Sequence, residues 1–262
     1  MSYPLYLVDA FSLGPFTGNP AAVCILPGPA DPQWMQRVGM EMNQAETAFV
    51  HPQGDVISLR WFTPTVEVDL CGHATLAAAH VLFERGIQAT ELRFSTKSGI
   101  LTASRAGDEI ELDFPSEPPE NWELPHRLES LGADPVWSGR NRMDWLVQLS
   151  HPDQIRNLRP DFAEIAALGL RGLIVTSVGD CGYDFVSRGF FPQSGIDEDA
   201  VTGSAHCALA PYWASRLGRN SMTGYQASRR GGVVKVQVAK DRVKLRGRAT
   251  TTFEGTLLIP SG

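Results

Sequence analysis

Long apolar runs, clustered basic charge and closely spaced cysteines are all scarce in this sequence, and each scarcity removes a class of explanation. No apolar stretch approaches the ~20 residues that a bilayer-spanning helix needs. The opening "MSYPLYLVDAFSLG" runs into a strand-like segment without a basic start and a long apolar run, so neither a signal peptide nor a membrane partner is expected. Lys and Arg (23) are outnumbered by Asp and Glu (29), giving a formal charge of −6, and they are scattered. A nucleic-acid or anionic-membrane surface is therefore not expected. The four cysteines, Cys24, Cys71, Cys181 and Cys207, stand far apart in a chain of 262 residues, too large to need covalent staples. Reduced thiols and a cytoplasmic location are the expectation. What the chain does have is apolar mass: 43% hydrophobic and 9% aromatic residues suffice for one large core or two ordinary ones.

Short strand patterns dominate. Leu5–Phe11, Ala22–Leu26, Glu46–Val50, Val56–Phe62, Leu92–Thr96, Ile100–Arg105 and Glu109–Phe114 are each bounded by Gly, Pro or polar turn residues. Trp145–Leu149, Leu173–Val178, Tyr183–Phe191, Val233–Val238, Val243–Arg246 and Thr251–Ile259 read the same way. "DPQWMQRVGMEM" predicts a surface helix with Asp31 as N-cap and Pro32 in the first turn, and Pro160–Leu168 predicts another. "PSEPPENWELP" (115–125) has the prolines and acids of a linker.

An internal comparison organises these pieces. A shift of 131 residues (72 to 203) lays Gly72-His73-Ala74 over Gly203-Ser204-Ala205, Ala77 over Ala208, Ala79 over Ala210 and Glu67 over Glu198. Ala74, Ala77, Ala78, Val81 and Leu82 follow helical spacing, as do Ala205, Ala208, Leu209, Tyr212 and Trp213. Leu76, Ala79, Cys207 and Ala210 extend the apolar surface to other sides of the same helices, so both helices must be enclosed. In strand-rich halves, the natural enclosure is a curved sheet around one central helix. The expected fold is thus α+β: two pseudo-symmetric domains, each a curved, barrel-like mixed sheet wrapped around a helix, with both helix starts facing one cleft. Free N–H groups and the positive dipole end would suit each start to a carboxylate or phosphate.

Four blocks, "VDAFSLGPFTGNPAAV" (8–23), "NQAETAFV" (43–50), "RWFTPTVEVDLCGHATLAAAHVL" (60–82) and "GIDEDAVTGSAHCALAPYW" (195–213), resemble the PhzF-like family of phenazine biosynthesis, in family order. The resemblance implies the diaminopimelate-epimerase-like fold, an active site between two domains, a homodimer, and neither metal nor organic cofactor. It also implies that the C-terminal segment returns to the first domain, giving 1–115 with 249–262 and 116–248.

Glu46, among Ala45, Thr47, Ala48 and Phe49, reads by spacing alone as an outward residue of an alternating strand. The resemblance instead places the family's proton-transferring glutamate there, and desolvation by Phe49 and its neighbours would raise its pKa. By residue type, His73 is a helix-start histidine bonded to backbone, kept neutral by the dipole; the resemblance makes it a substrate contact. Asp199 reads as an N-terminal capping acid and Ser204 as a first-turn serine. The resemblance makes both substrate-binding, with the N–H groups of Gly203 and Ser204, and of Gly72 on the first helix, near a carboxylate. Asn19 and Gln226 match family positions near the cleft, and each is otherwise a turn-stabilising amide. The family often carries glycine after that glutamine, where this chain has Ala227.

Cys71 and His73 form a Cys-x-His pair, but no second pair with ligand spacing lies near, and no metal site is expected. A reactive thiol is the stronger alternative, since a helix N-terminus lowers a cysteine's pKa, and related racemases of this fold use one cysteine at each helix start. Here the second start reads "AVTGSAH", without one. The resemblance, with this departure from the two-thiol pattern, therefore implies a cofactor-independent isomerase in which Glu46 moves a proton between carbons of a small carboxylic acid. An amino-acid racemase or epimerase and a non-catalytic small-acid binding protein are the alternatives.

Overall fold

A computed structural model describes residues 2–258, so Ile259 of the last predicted strand and the rest of the expected return segment to 262 lie outside the described residues. The chain divides into two compact units. One runs from the N-terminus to Asp113 and is rejoined by the chain from Arg246 onward; the other is Phe114–Leu245.

The first unit contains β1 (Tyr3–Ala10), β2 (Asn19–Ile25), α1 (Pro32–Met42), β3 (Glu46–Gln53), β4 (Val56–Phe62), β5 (Glu67–Val68), α2 (Gly72–Glu84), β6 (Glu91–Thr96), β7 (Gly99–Ala106) and β8 (Glu109–Pro115). From the returning chain comes the strand Ala249–Leu257, antiparallel to β1. The mixed sheet continues from β1 through β2, β3, β4, β6, β7 and β8, with β5 hydrogen-bonded beside β4. The returning strand and β7, from opposite parts of this order, both touch α2, so the sheet curls around that helix. Burial of Ala74, Leu76, Ala77, Ala78, Ala79, Val81, Leu82 and Phe83 covers every side of α2. Its alanines let the surrounding strands approach closely. The other face of the sheet packs on α1: Trp34, Met35 and Val38 join Tyr3, Cys24, Phe49 and Phe62 in one core. α1 starts as its sequence predicts, with Asp31 accepting from the Gln33 N–H at 3.2 Å and Pro32 in the first turn.

The second unit contains β9 (Glu120–Asn121), β10 (Trp137–Arg140), β11 (Asp144–Gln148), α3 (Pro152–Asn157), α4 (Phe162–Ala166), β12 (Gly172–Val178), β13 (Phe185–Phe191), β14 (Ile196–Asp199), α5 (Gly203–Leu217), β15 (Ser221–Gln226), β16 (Gly232–Ala239) and β17 (Arg242–Gly247), whose last residues pass into the returning chain. β9 to β13 pair in sequence order and continue through β15 to β16, with β14 on β13. α5 touches β15 and β16 directly. Its Tyr212 hydroxyl donates to Gln148 of β11 at 2.5 Å, and Trp213 Nε1 donates to Thr176 of β12 at 3.0 Å. Pro211 lies inside α5 and has no N–H for the Cys207 carbonyl; the Glu117 N–H takes that place at 3.0 Å. The segment predicted as a linker is therefore fastened to the central helix and even contributes β9. α3 and β10, β14 and β15 were not apparent in the sequence. Within β15, Gly224 interrupts the strand pattern for a packing reason: a Cβ there would lie 2.3 Å from the ring of Phe185, its partner on β13. The predicted helix 160–168 is shorter, with Asp161 capping α4 through the N–H groups of Ala163 and Glu164.

The repeat seen in the sequence is a repeat of pairing. From β1 to β7 the successive pairs run antiparallel, parallel, antiparallel, parallel, antiparallel, and from β10 to β16 the same series recurs. The matched glutamates do the same work in each unit. Glu67 on β5 takes Arg60 of β4 in a two-bond pair at 2.7 and 2.8 Å; Glu198 on β14 takes Arg188 of β13 at 2.7 and 2.9 Å. Such forked pairs fix one plane against another, and each fastens the segment that leads to the buried helix. Because α2 has no open side, Ala77→Leu is expected to destabilise the protein by about 1–3 kcal/mol, read as a lower midpoint in chemical denaturation.

Candidate functional site

Strand alternation places the first group. On β3, Phe49 points to the α1 core, where it meets Trp34 and Phe62 edge-on, so Glu46, Ala48 and Val50 face α2. On β2, Ala22 and Cys24 point to α1, which turns Asn19 to the α2 side. β2 and β3 are parallel with Ala21 opposite Glu46. Two polar residues at neighbouring strand starts thus meet the start of α2. Glu46 is an inward group, and its neighbours are on α2 rather than the Phe49 expected from the sequence.

His73 sits between them. Its Nε2 lies 3.0 Å from Glu46 Oε2, and its Nδ1 lies 3.1 Å from Asn19 Nδ2 and 3.6 Å from Cys71 Sγ. In the neutral ring the Asn19 amide donates to Nδ1 and the proton lies on Nε2; in the charged ring both nitrogens donate, and the amide turns its oxygen to Nδ1. Glu46 (9% exposed), His73 (4%), Cys71 (6%) and Asn19 (1%) are all buried. Although close, Oε2 and Nε2 are off the line of a hydrogen bond, and neither has another partner. Gly72, the first residue of α2, is half-buried beside them, and Cys71 precedes it without its side chain capping the helix.

Charge in this group differs from the sequence expectation. Burial alone would raise the Glu46 pKa, but the charge and contact of His73, with Cys71, bring it below the ordinary 4.5. Burial pulls His73 down, yet the charges on Cys71 and Glu46 and the contacts they make would carry it well above 6.5. The Cys71 thiol is itself pushed up to about 11, first by burial and then by the Glu46 charge. It is therefore uncharged near neutral pH, which leaves Glu46 as the anion acting on His73. Two expectations are corrected here, a raised glutamate and a neutral histidine set by the helix dipole, and the alternative of a thiol activated by the helix start loses support. For Glu46 and His73 a buried neighbour outweighs burial, and for Cys71 burial outweighs the partial charge of the helix terminus.

In the second unit, Asp199 closes β14, and its Oδ2 accepts the Thr202 hydroxyl at 2.7 Å. Thr202, not Asp199, occupies the N-cap of α5. Gln226 is 1% exposed and its amide is used internally: Oε1 accepts the Thr202 N–H at 2.9 Å, and Nε2 donates to the Asp199 carbonyl at 2.8 Å and the Thr202 hydroxyl at 3.1 Å. It clamps the turn that carries Asp199. Gly203 begins α5, and Cys207 lies one turn inside, its thiol 3.6 Å from the Gly203 carbonyl. Ser204 Oγ accepts from Arg171 Nη2 at 3.0 Å. The same guanidinium pairs with buried Asp144 through two bonds and lies 5.0 Å from the Phe191 ring. Arg171 and Thr202 were not found from the sequence. Arg171 lies outside every matched block, and only the pairing of β11 with β12 brings it to a helix start.

Comparison with known proteins places this architecture. The family described as Phenazine biosynthesis-like protein matches residues 8–255. The chain belongs to this family. Among its phenazine biosynthesis-like relatives, an uncharacterized isomerase of Halalkalibacterium halodurans is 52% identical over 99% of this chain and 100% of the relative. An uncharacterized isomerase of Pseudomonas aeruginosa is 46% identical over 99% and 100%. The crystal structure of a PhzF-family phenazine biosynthesis protein from Enterococcus faecalis superposes with a TM-score of 0.95 at 42% identity, covering 99% of this chain and 100% of that one. A hydroxyproline epimerase from Agrobacterium vitis, at 12% identity, has a TM-score of 0.61 over 98% and 92%, a likeness of fold alone.

The arrangement around His73 has a measurable electrostatic sign. In an imidazole ¹⁵N NMR titration, the His73 midpoint is expected above 6.5 in the wild type. Glu46→Gln removes the anion and leaves burial opposed only by Cys71, so the midpoint should fall; an unchanged midpoint would contradict this account of the pair.

Proposed function

We propose that this phenazine biosynthesis-like protein is an isomerase in which Glu46 moves a proton between two carbons of a small carboxylic acid. The observation that supports the reading most directly is the buried Glu46–His73 contact at 3.0 Å, with both facing atoms unspent on other bonds. A base needs a free lone pair and a defined direction, and this contact supplies both. Glu46 starts as carboxylate because His73 holds its pKa down. It takes the proton from one carbon, the C–H electrons form a new double bond, and the displaced π pair takes the proton at another carbon. No atom is gained or lost. The low pKa makes removal the harder step and return the easier one.

His73 orients the carboxylate and spreads its charge, and Asn19 fixes the imidazole through Nδ1. Asp199, Gly203 and Ser204 are kept as substrate-binding residues on the family resemblance, with Thr202 and Gln226 holding Asp199 and Arg171 holding Ser204. The names of the H. halodurans and P. aeruginosa relatives agree with an isomerase. A two-thiol racemase mechanism is disfavoured, because Cys207 lies inside α5 and burial pushes its thiol up to about 12.

The test is solvent-deuterium uptake into a panel of small unsaturated and hydroxy acids, followed by mass spectrometry. Wild type should exchange at least one panel member, and Glu46→Gln should slow that exchange by about 10²–10⁴ with the fold intact. Exchange that survives in Glu46→Gln would sink the mechanism. Acids that bind the wild type without exchanging would favour the binding-protein alternative.

A further inference from the structure

The Cys-x-His pair that the sequence left without further ligands acquires a third donor in the folded chain. Glu46, from β3, brings a carboxylate to Cys71 and His73 at the α2 start, and one donor atom from each residue lies within 4.8 Å of the others. All three residues are buried, and Glu46 Oε2 and His73 Nε2 face each other without a hydrogen-bond partner. Buried polar atoms without a partner are costly unless something binds them, and a cation would take both once Nε2 gives up its proton. We propose that these three side chains form a binding site for one thiophilic divalent cation of the zinc class, and that the cation-loaded protein is an inactive form.

The chemistry of the donor set fits this class. Thiolate, imidazole and carboxylate together suit zinc, whereas calcium and magnesium take oxygen ligands. In a tetrahedral zinc site, ligand bonds of about 2.0–2.3 Å put donor atoms about 3.3–3.6 Å apart. Glu46 Oε2 is 3.0 Å from His73 Nε2, within reach of this spacing, while the 3.6 Å between Cys71 Sγ and the ring is to Nδ1. A turn of the His73 ring that brings Nε2 toward Sγ, within the 4.8 Å that donor atoms of the three residues already span, completes the arrangement. His73 offers Nε2, and Nδ1 keeps the Asn19 amide, turned to present its oxygen; a ligating imidazole usually has such support on its other nitrogen. Three protein ligands leave a fourth position open to water. Binding breaks the thiol S–H bond, forms the metal–sulfur bond and releases the proton to solvent.

The inactivity of the loaded form rests on the proposed function, since the cation would occupy the Glu46 and His73 atoms that handle the proton. Binding itself does not rest on it and can be read without any substrate. The experiment starts from full-length Cys181→Ser protein, which removes the exposed free thiol, stripped with chelator and kept reduced. Cobalt(II) is added as the spectroscopic stand-in. One equivalent should produce a sulfur-to-cobalt charge-transfer band with tetrahedral visible bands, and zinc should displace it. Adding Cys71→Ser should abolish the charge-transfer band. Adding the near-isosteric Glu46→Gln, the check if the cysteine variant folds poorly, should keep the band and weaken binding by at least 10-fold. No band in the starting protein, a band that persists in the folded Cys71→Ser variant, or unchanged affinity in Glu46→Gln would overturn the site. If zinc binds as expected but no panel acid exchanges deuterium in metal-free wild type, the cation site stands and the proton-transfer reading falls.

Discussion

A carboxylate and an imidazole held 3.0 Å apart away from water constrain much of the first unit. Burial would make the glutamate neutral, and an isolated buried histidine would shed its proton. Each opposes that tendency in the other, so loss of either shifts the protonation of its partner. The contact exists because β2 and β3 run parallel and both begin beside the first turn of α2. Parallel neighbours need a crossover, and α1 provides it, packing Trp34, Met35 and Val38 on the far face of the strands that deliver Asn19 and Glu46. The surface helix and the buried site are therefore two sides of one sheet.

The central helices carry a second constraint. A helix apolar on all sides has no stable place except inside a closed wall, and its only polar part is its end. Enclosure by strands thus concentrates polar chemistry at the helix starts, where the backbone still has N–H groups to give. The forked Arg60–Glu67 and Arg188–Glu198 pairs set the strand that precedes each start. They explain why a glutamate survives the 131-residue shift when so little else does. The clamp of Gln226 on the 199–202 turn serves the same end, replacing a side-chain cap that Thr202 does not give.

Much of this was legible in the sequence, for identifiable reasons. Alternation in "ETAFV" and helical spacing in "ATLAAAHVL" are local signals that burial enforces, and Asp31-Pro32 marks a helix start with its own atoms. Strands such as Trp137–Arg140 and Ser221–Gln226 carry glycine and polar residues because a neighbour's ring or backbone fills the space, and that neighbour is distant in sequence. The residues expected at the first helix start do meet there. Their protonation was not legible: whether Glu46 is raised or lowered depends on which face Phe49 takes and on how close His73 comes. Arg171 had no local signal at all, since its role follows from Asp144 and Ser204, 27 and 33 residues away.

The repeat also separates scaffold from chemistry. In the first unit Asn19, Glu46 and His73 converge on the start of α2. In the second, Asp144 at the start of β11 and Arg171 just before β12 converge on Ser204, the residue that the 131-residue shift lays over His73. Equivalent places hold a carboxylate beside an imidazole in one unit and a guanidinium beside a hydroxyl in the other. A duplicated frame keeps its pairing series, its ion pairs and its enclosed helix because each is needed for the sheet to close. Nothing in that closure depends on which polar groups stand at the helix starts, so those positions are free to diverge. One start keeps two titratable groups in contact, and the other holds a neutral hydroxyl in place with a fixed positive charge behind it.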